Sequence, residues 1–346
     1  MSVTFIPIER ELSFFTISLK APTIGRFESG VRELNAERKS SRLTFGRKVA
    51  KNRYLLLMMM PGAIYLLINN YFPMFGTVIA FKSVNYSVGI LRSPWVGFDN
   101  FKFLFRTSDA WTITRNTLLY NALFIVVTPI IAVTFAILLN EVRNRLAARF
   151  YQSIMFLPYF LSAVVVGYLG YSLLSTEFGF INTNLLKPLG ADAIAWYSEP
   201  KYWPFILPIV YIWKNIGYST VIYLAAVIGI DNEYYEAALM DGASKWRQAI
   251  SITLPQIRPI IIILGLMAVG HILNADFGLF YQVPLDAGAL YPTTNVIDTY
   301  VYRALLTLGD IGMSSAAGLY QSAVGFVLVL TVNLVVRKFS KESALF

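Results

Sequence analysis

Six residues with polar or aromatic side chains lie within two otherwise apolar stretches of this sequence: Lys214, Asn215, Tyr218, His271, Asn274 and Asp276. If these stretches cross a bilayer, such groups are unfavourable there, by about 2.5 to 3.5 kcal/mol for a lysine, and they should face a cavity or a partner. One interpretation is that they line a wet path through the membrane. The other is structural, with Lys214 paired to a carboxylate or to backbone carbonyls where two subunits meet.

Catalysis by these residues is disfavoured. His271 and Asp276 would have to act as a general-base pair, but their spacing along the chain places them well off one helical face. No Ser or Cys nucleophile lies at a recognisable spacing from them. A multi-histidine or thiolate metal centre is excluded as well, because the chain has one His and no Cys.

The elements that position these residues are membrane spans. Of the 346 residues, 56% are hydrophobic and 14% are charged, far more apolar than a soluble domain. A span needs about 20 mainly apolar residues, and none of the windows that qualify alternates as a barrel strand would. The predicted spans are Tyr54–Phe72, Leu118–Leu139, Ser153–Leu174, Pro204–Ile230, Pro259–Phe280 and Ala317–Val336.

The distribution of basic residues predicts the orientation of these spans. Lys and Arg are concentrated in the N-terminal segment, in the loops after spans two and four, and in the C-terminal tail, as is typical of cytoplasmic flanks. The net charge of +9 fits such flanks better than nucleic-acid binding. We therefore predict an all-α membrane protein with six transmembrane helices and both termini in the cytoplasm. Its parts are a basic tail (1–53), a six-helix domain (54–336) and a C-terminal tail (337–346).

The cytoplasmic segment between spans four and five, residues 231–258, carries the local signals of a helix, a turn and a second helix. Asp231 is a good N-cap residue, and Gly242 suits the left-handed conformation that follows a helix end. A second short helix is predicted from Ser244 to Ile250, with Pro255 stopping it before the next span. Physical reasoning alone leaves two roles open: a knob that docks on a partner, or an amphipathic connector on the headgroups.

A motif in this segment favours the docking role. It reads Glu-Ala-Ala, three residues, Gly, nine residues and Ile-x-Leu-Pro, and it resembles the signature loop of the membrane subunits of binding-protein-dependent ABC importers. The resemblance implies that the segment is a coupling helix seated in a cleft of a separate cytoplasmic ATPase. The residues implied to make this contact are Glu236, Ala237, Ala238, Asp241, Gly242, Ala243, Leu254 and Pro255.

Flanking stretches resemble the sugar-importing branch of the same family. They include "WVGFDNF" and "WKNIGYSTVIYLAAVIGID", and "TTNVIDTYVYR" is similar, more narrowly, to oligosaccharide permeases. The implied function is the permease subunit of an ATP-driven importer of oligosaccharides, working by alternating access in a bacterial cytoplasmic membrane. A non-sugar cargo on the same architecture is the alternative. An ion-coupled secondary carrier is a more distant one, because the coupling loop would have no purpose there.

The resemblance also implies partners: a second permease chain, two cytoplasmic ATPase subunits and an extracytoplasmic solute-binding protein, besides membrane lipid. The chain has no G-x-x-x-x-G-K-[ST] phosphate loop, so ATP and Mg are expected on the ATPase subunits and no cofactor on this chain. Lys214 and a basic first outer loop would suit a uronate-bearing cargo, but neutral and acidic sugars both stay open. The N-terminal tail is expected to form at most one amphipathic helix, on anionic lipid or on the ATPase.

Overall fold

The computed structural model describes residues 50–102 and 108–339. Within these ranges every regular element is helical, apart from a single antiparallel bridge between Lys82 and Trp95. The predicted all-α class is therefore confirmed. The amphipathic helix expected in the N-terminal tail lies outside the described residues, as do the last seven residues of the chain.

The α-helices of four or more residues in the described part of the chain are named in chain order. They are α1 (Arg53–Leu66), α2 (Ser108–Asn140), α3 (Arg145–Phe156), α4 (Ala163–Leu174), α5 (Trp203–Ile228), α6 (Asn232–Met240), α7 (Lys245–Gln248), α8 (Leu254–Gly270), α9 (Phe277–Gln282), α10 (Tyr291–Thr294), α11 (Ile297–Leu308) and α12 (Ile311–Phe339). Among the 3₁₀ and π turns between them, the ones used below are the 3₁₀ turn Leu157–Phe160 and the π turn Ala249–Thr253.

The chain divides into two compact units, residues 1–73 and 74–346. In the first unit, α1 is an apolar helix that contains Pro61 and continues into a π turn at Leu67–Tyr71. All residues of the sites described below belong to the second unit.

Five helical stretches are long and apolar enough to cross a membrane, and a bent pair supplies a sixth. The five are Arg53–Phe81, Asp109–Asn140, Pro200–Ile228, Lys245–Gly270 and Ile311–Lys338. The pair, Arg145–Phe160 and Ala163–Leu174, is bent by 98°. The predicted third span, Ser153–Leu174, falls within this bent pair, so it is present as two helices and not as one continuous helix. Pro158 lies in the 3₁₀ turn before the bend, and Ser162 caps α4 by accepting a hydrogen bond from the Val165 N–H at 3.3 Å.

The predicted fifth span, Pro259–Phe280, is also corrected. The helix extends over Lys245–Gly270 and then breaks before α9 begins at Phe277. Pro255 does not stop this helix. It lies in the first turn of α8, directly after the π turn Ala249–Thr253. Proline is tolerated in a first turn because the nitrogen there makes no hydrogen bond within the helix. The short second helix expected from Ser244 is thus the start of the span itself.

The core of the second unit forms where α2 packs along α5. Phe124 of α2 stacks on Tyr211 of α5 with ring centroids 3.7 Å apart. The end of α3 approaches α5 at Gly217, where an added Cβ would lie 1.9 Å from the carbonyl oxygen of Met155. This contact requires glycine. It brings the bend after α3 beside the middle of α5.

Candidate functional site

Residues 231–258 are called the coupling segment after their predicted role, and the start of this segment is built as its sequence predicts. The Asp231 side chain accepts a hydrogen bond from the Glu233 N–H at 3.1 Å, and α6 begins at Asn232. Glu233 lies in the first turn, where a carboxylate interacts favourably with the helix dipole. The predicted N-cap is confirmed.

The end of α6 is a glycine-dependent Schellman turn. Gly242 has φ +74°, its N–H donates to the Leu239 carbonyl at 3.0 Å, and the Ala243 N–H donates to the Ala238 carbonyl at 2.9 Å. These are the two crossed hydrogen bonds of that motif. Ser244 then caps α7 by accepting from the Arg247 N–H at 3.4 Å. Two helices joined by a tight turn are therefore present, as predicted.

Three side-chain contacts attach this turn to the membrane-spanning helices. The Tyr235 and Thr253 hydroxyls lie 2.9 Å apart and join α6 to the π turn before α8. Lys245 forms an ion pair at 3.1 Å with Glu141, at the inner end of α2. The buried Gln248 side chain donates to the Ala243 carbonyl at 3.1 Å. The segment is therefore linked to the π turn before α8 through Tyr235 of α6 and to the end of α2 through Lys245 of α7.

The predicted contact residues of this segment divide by exposure. Four are exposed at its tip, two are half-buried alanines, and the motif's leucine packs in the core that α2 and α5 form. The exposed ones are Glu236, Ala237, Asp241 and Gly242, the half-buried ones are Ala238 and Ala243, and the packed one is Leu254. Pro255 is exposed, in the first turn of α8.

Two large apolar side chains beside this tip were missed by the sequence reasoning. Met240 is 88% exposed and Trp246 is 76% exposed, and the neighbouring Leu239 is 65% exposed. The signal in the sequence was an apolar residue, Met240, just before the turn and an aromatic residue, Trp246, a few positions after it. Together they make the tip of the segment apolar with acidic groups among the exposed residues, a composition suited to protein contact.

A cavity of about 380 Å³ lies between α2, α5 and α8; it is called the polar cavity below because polar side chains are set into its largely apolar wall. Three of the six predicted path residues line it: Tyr218, His271 and Asn274. Its other polar and aromatic lining includes Asn121, Tyr211 and Ser219. Asn121 could have been found from the sequence, because it is an amide within the apolar second span.

The other three predicted path residues do not line this cavity. The Asn215 amide donates to the carbonyl of Tyr211 in its own helix at 3.0 Å. Asp276 caps α9 by accepting from the Leu279 N–H at 3.1 Å. Lys214 is half-buried on α5 outside the lining. Whether Lys214 faces a path or a partner subunit stays a prediction.

Aromatic rings form part of the cavity wall and its surroundings. Tyr218 stacks on Tyr159, in the 3₁₀ turn after α3, with centroids 4.6 Å apart and planes inclined by 8°. Phe124 and Tyr211, which are themselves stacked, both line the cavity. The close approach of the end of α3 to Gly217 of α5 places Tyr159 beside Tyr218, so this pair is not evident from spacing.

A second, apolar cavity of about 490 Å³ lies between α2 and the helix from α7 to α8. Pro129 lines both cavities, so they follow one another along α2. Glu141 and Lys245 lie at the end of the second cavity away from Pro129, where they form the ion pair described above. The groove beside α2 is thus polar in one half and apolar in the other.

Residues 271–276, the break segment, present His271 and Asn274 to the polar cavity. The chain is not helical there, so its backbone carbonyls need other donors. The Asn121 side chain donates to the Ile272 carbonyl at 2.8 Å and to the Asn274 carbonyl at 3.1 Å. One amide of α2 therefore both lines the cavity and supports the break segment.

Comparison with known proteins gives a consistent result. The model of a family described as binding-protein-dependent transport system inner membrane component matches residues 128–341. The polygalacturonan/rhamnogalacturonan transport system permease protein YteP of Bacillus subtilis (strain 168) is 38% identical over 295 residues, covering 85% of this chain and 91% of that protein. Protein LplB of the same organism is 36% identical over 293 residues, with 84% and 91% covered.

Two solved structures share the fold. One is a chain of a bacterial ABC transporter involved in the import of the acidic polysaccharide alginate, with a TM-score of 0.77 and 32% identity over 85% of this chain and 98% of that one. The other is a chain of a bacterial alginate ABC transporter in complex with an alginate pentasaccharide-bound periplasmic protein. It has the same TM-score and identity, with 86% and 98% covered.

Proposed function

The chain belongs to the family of binding-protein-dependent transport system inner membrane components, and on this premise we propose that it carries oligosaccharides inward as one half of an ABC importer's translocation path. The family resemblance inferred from the motif is confirmed. The relatives named above, which transport polygalacturonan or rhamnogalacturonan and alginate, support an oligosaccharide cargo over a non-sugar one.

The polar cavity is the observation that carries this proposal. Its amide, hydroxyl and imidazole groups can hydrogen-bond sugar hydroxyls, and its tyrosine and phenylalanine rings can pack on the apolar faces of sugar rings. The apolar cavity beyond Pro129 has few such groups, and two of them, Glu141 and Lys245, are paired with each other at its far end. The sugar therefore binds in the outer part and crosses the inner part only when the helices separate. Tyr218, His271, Asn274 and Asn121 are the proposed contact residues.

The coupling segment is proposed to receive the force of ATP hydrolysis. Its exposed Glu236, Ala237, Asp241 and Gly242, with Met240 beside them, meet a separate ATPase subunit. The chain itself binds neither ATP nor Mg and catalyses no reaction. The working complex contains a second permease, two ATPases and a solute-binding protein, in a bacterial cytoplasmic membrane with both termini of this chain inside.

The test is a purification of the chain with its partners in nanodiscs, followed by ATPase and uptake assays with neutral and acidic oligosaccharides and their binding protein. We expect a second permease and an ATPase pair to co-purify, and one sugar class to raise hydrolysis. If the chain purifies without an ATPase, or if no sugar class stimulates hydrolysis, the proposal is wrong.

Two variants test the coupling role directly. Glu236→Lys reverses a charge at the exposed tip, and Gly242→Pro removes the backbone N–H and the left-handed conformation on which the Schellman turn depends. Both should abolish uptake and ATPase stimulation while membrane insertion stays normal. Glu177→Lys, at an exposed carboxylate outside the coupling segment, is the matched control and should leave uptake unchanged. Normal uptake by either tip variant would refute the coupling role.

A further inference from the structure

The break segment is supported from a second side by residues that lie outside the polar cavity. Residues 271–276 pass between α8 and α9, and Asn121 supplies donors to this segment from the cavity wall. Further side-chain hydrogen bonds to this segment come from α11 and α12, two helices that follow later in the chain. None of the residues making these contacts lines the cavity.

Asp298 makes the first of these contacts. It lies in the first turn of α11, and its Oδ2 atom accepts a hydrogen bond from the Ala275 N–H at 2.8 Å. The side chain is half-buried. Burial raises the pKa of the Asp298 carboxyl, and the hydrogen bonds from Ala275 and Gln321 lower it, with burial the larger influence. The carboxyl is thus a desolvated group directed at one backbone N–H of the break segment.

Gln321 makes the second contact. Its side chain, on α12, is 7% exposed, and its Nε2 atom donates to the Leu273 carbonyl at 2.7 Å and to Asp298 Oδ2 at 3.3 Å. One amide therefore bridges the break segment and the carboxyl that also holds it. Because Leu273 and Ala275 flank Asn274, the two contacts restrain the backbone on both sides of a cavity-lining residue.

We infer that Asp298 and Gln321 are positioning residues for transport, which hold the break segment so that His271 and Asn274 face the polar cavity. The expected effect on uptake rests on the proposed function. The placement of His271 and Asn274 by these two residues does not depend on the cargo. A shift of about 1 Å in a binding group can lower rates by about a hundredfold. Loss of these contacts should therefore affect transport although neither residue touches the sugar.

Uptake kinetics give the first readout. Asp298→Leu and Gln321→Met remove the acceptor and the donor while keeping a side chain of similar size. Both should raise the concentration of loaded binding protein at half-maximal uptake by about tenfold, with co-purification of the partner subunits and basal ATPase activity unchanged. Asp298→Asn keeps an oxygen acceptor for the Ala275 N–H and should restore most of the uptake. Ser322→Ala, next to Gln321 on α12, is the matched control and should behave as the natural chain.

Thiol labelling gives a readout that is independent of cargo. The chain has no Cys, so the thiol introduced by His271→Cys is the only one in this chain. Its rate of labelling by a membrane-impermeant reagent should change several-fold when Asp298→Leu or Gln321→Met is added, and should not change with Asp298→Asn. A thiol introduced by Ser219→Cys, on the α5 wall of the cavity, should label at the same rate in all backgrounds.

The two readouts distinguish failure of the positioning role from failure of the proposed sugar path. Unchanged labelling at position 271 in both apolar variants would overturn the positioning role, whatever happens to uptake. Changed labelling with normal uptake would leave the positioning role intact and would refute the cavity as the sugar path.

Discussion

The coupling segment and the break segment both interrupt a run of membrane helices, but they are stabilised over very different distances along the chain. The turn after α6 is closed by hydrogen bonds within the segment, from Ala243 to Ala238 and from Gly242 to Leu239. The break segment is held by contacts with residues 23, 48 and 151 positions away. Contacts between residues close in the chain can be recognised in a sequence. Contacts between distant residues exist only once the helices have packed.

The difference follows from where each segment lies. The coupling segment is largely exposed to water, which can satisfy any backbone group that its caps leave unpaired. The break segment is packed against other helices, and its partners come from α2, α11 and α12. Its stability is therefore a property of the packed bundle. We therefore expect substitutions around the break segment to lower the stability of the fold more than substitutions in the coupling segment do.

The largest effect is expected where α12 meets the end of α8. A Cβ at Gly325 would lie 2.3 Å from the carbonyl oxygen of Gly270, a backbone atom directly before the break segment. Gly325→Ala should destabilise the protein by about 3 kcal/mol, because the two helices must move apart. Thermal unfolding in detergent measures this loss. Gly318→Ala, on the same helix with nothing within 4 Å of the added Cβ, is the control. Equal unfolding temperatures for the two variants would contradict the close approach.

A smaller effect is expected at Gly242. The added Cβ would meet open space, but the residue has φ +74°, a conformation that costs an L-residue about 1 to 2 kcal/mol. Gly242→Ala should therefore fray the end of α6 and weaken ATPase stimulation without unfolding the bundle. Amide hydrogen exchange across α6 is the measurement, with Gly265→Ala in α8 as the control. Exchange that remains unchanged in Gly242→Ala would mean that the turn does not depend on glycine.

The smallest effect is expected at the ion pair between Glu141 and Lys245. Both side chains are well exposed, and such pairs contribute about 0.2 to 1 kcal/mol. Glu141→Gln should reduce the coupling of ATP hydrolysis to uptake slightly at low salt, and the difference from the natural chain should vanish at high salt. Glu199→Gln, which removes the exposed pair with Lys201, is the matched control. A large defect that persists at high salt would show that Glu141 acts otherwise than by charge pairing.

The sequence predicted the coupling segment well because its signals are short-range. An N-cap at Asp231 and a left-handed residue at Gly242 each require particular residue types at one position, and both were correctly placed. The prediction was wrong at Pro255, where a proline was read as a helix stop. The π turn before it changes the hydrogen-bond register, and composition carries no sign of that.

The cavity was predicted in part. Tyr218, His271 and Asn274 were recognised as polar or aromatic groups in apolar stretches, and they do come together. Lys214, Asn215 and Asp276 met the same criterion but lie outside the lining, because hydropathy reports depth in the membrane and not the direction of a side chain. The bend after α3 and the break after α8 were missed, because a window of about 20 residues averages over Pro158 and over the polar residues of 271–276.

Apolar length, basic flanks and a short motif were sufficient to determine the helical class, the approximate spans and the family, because each depends on composition or on neighbours within a few residues. Only the tertiary structure decided which polar residues share a cavity and what supports them. The reason is that a helix broken inside a membrane must obtain its hydrogen bonds from other helices. The donors and acceptors it finds, at Asn121, Asp298 and Gln321, are brought to it by packing.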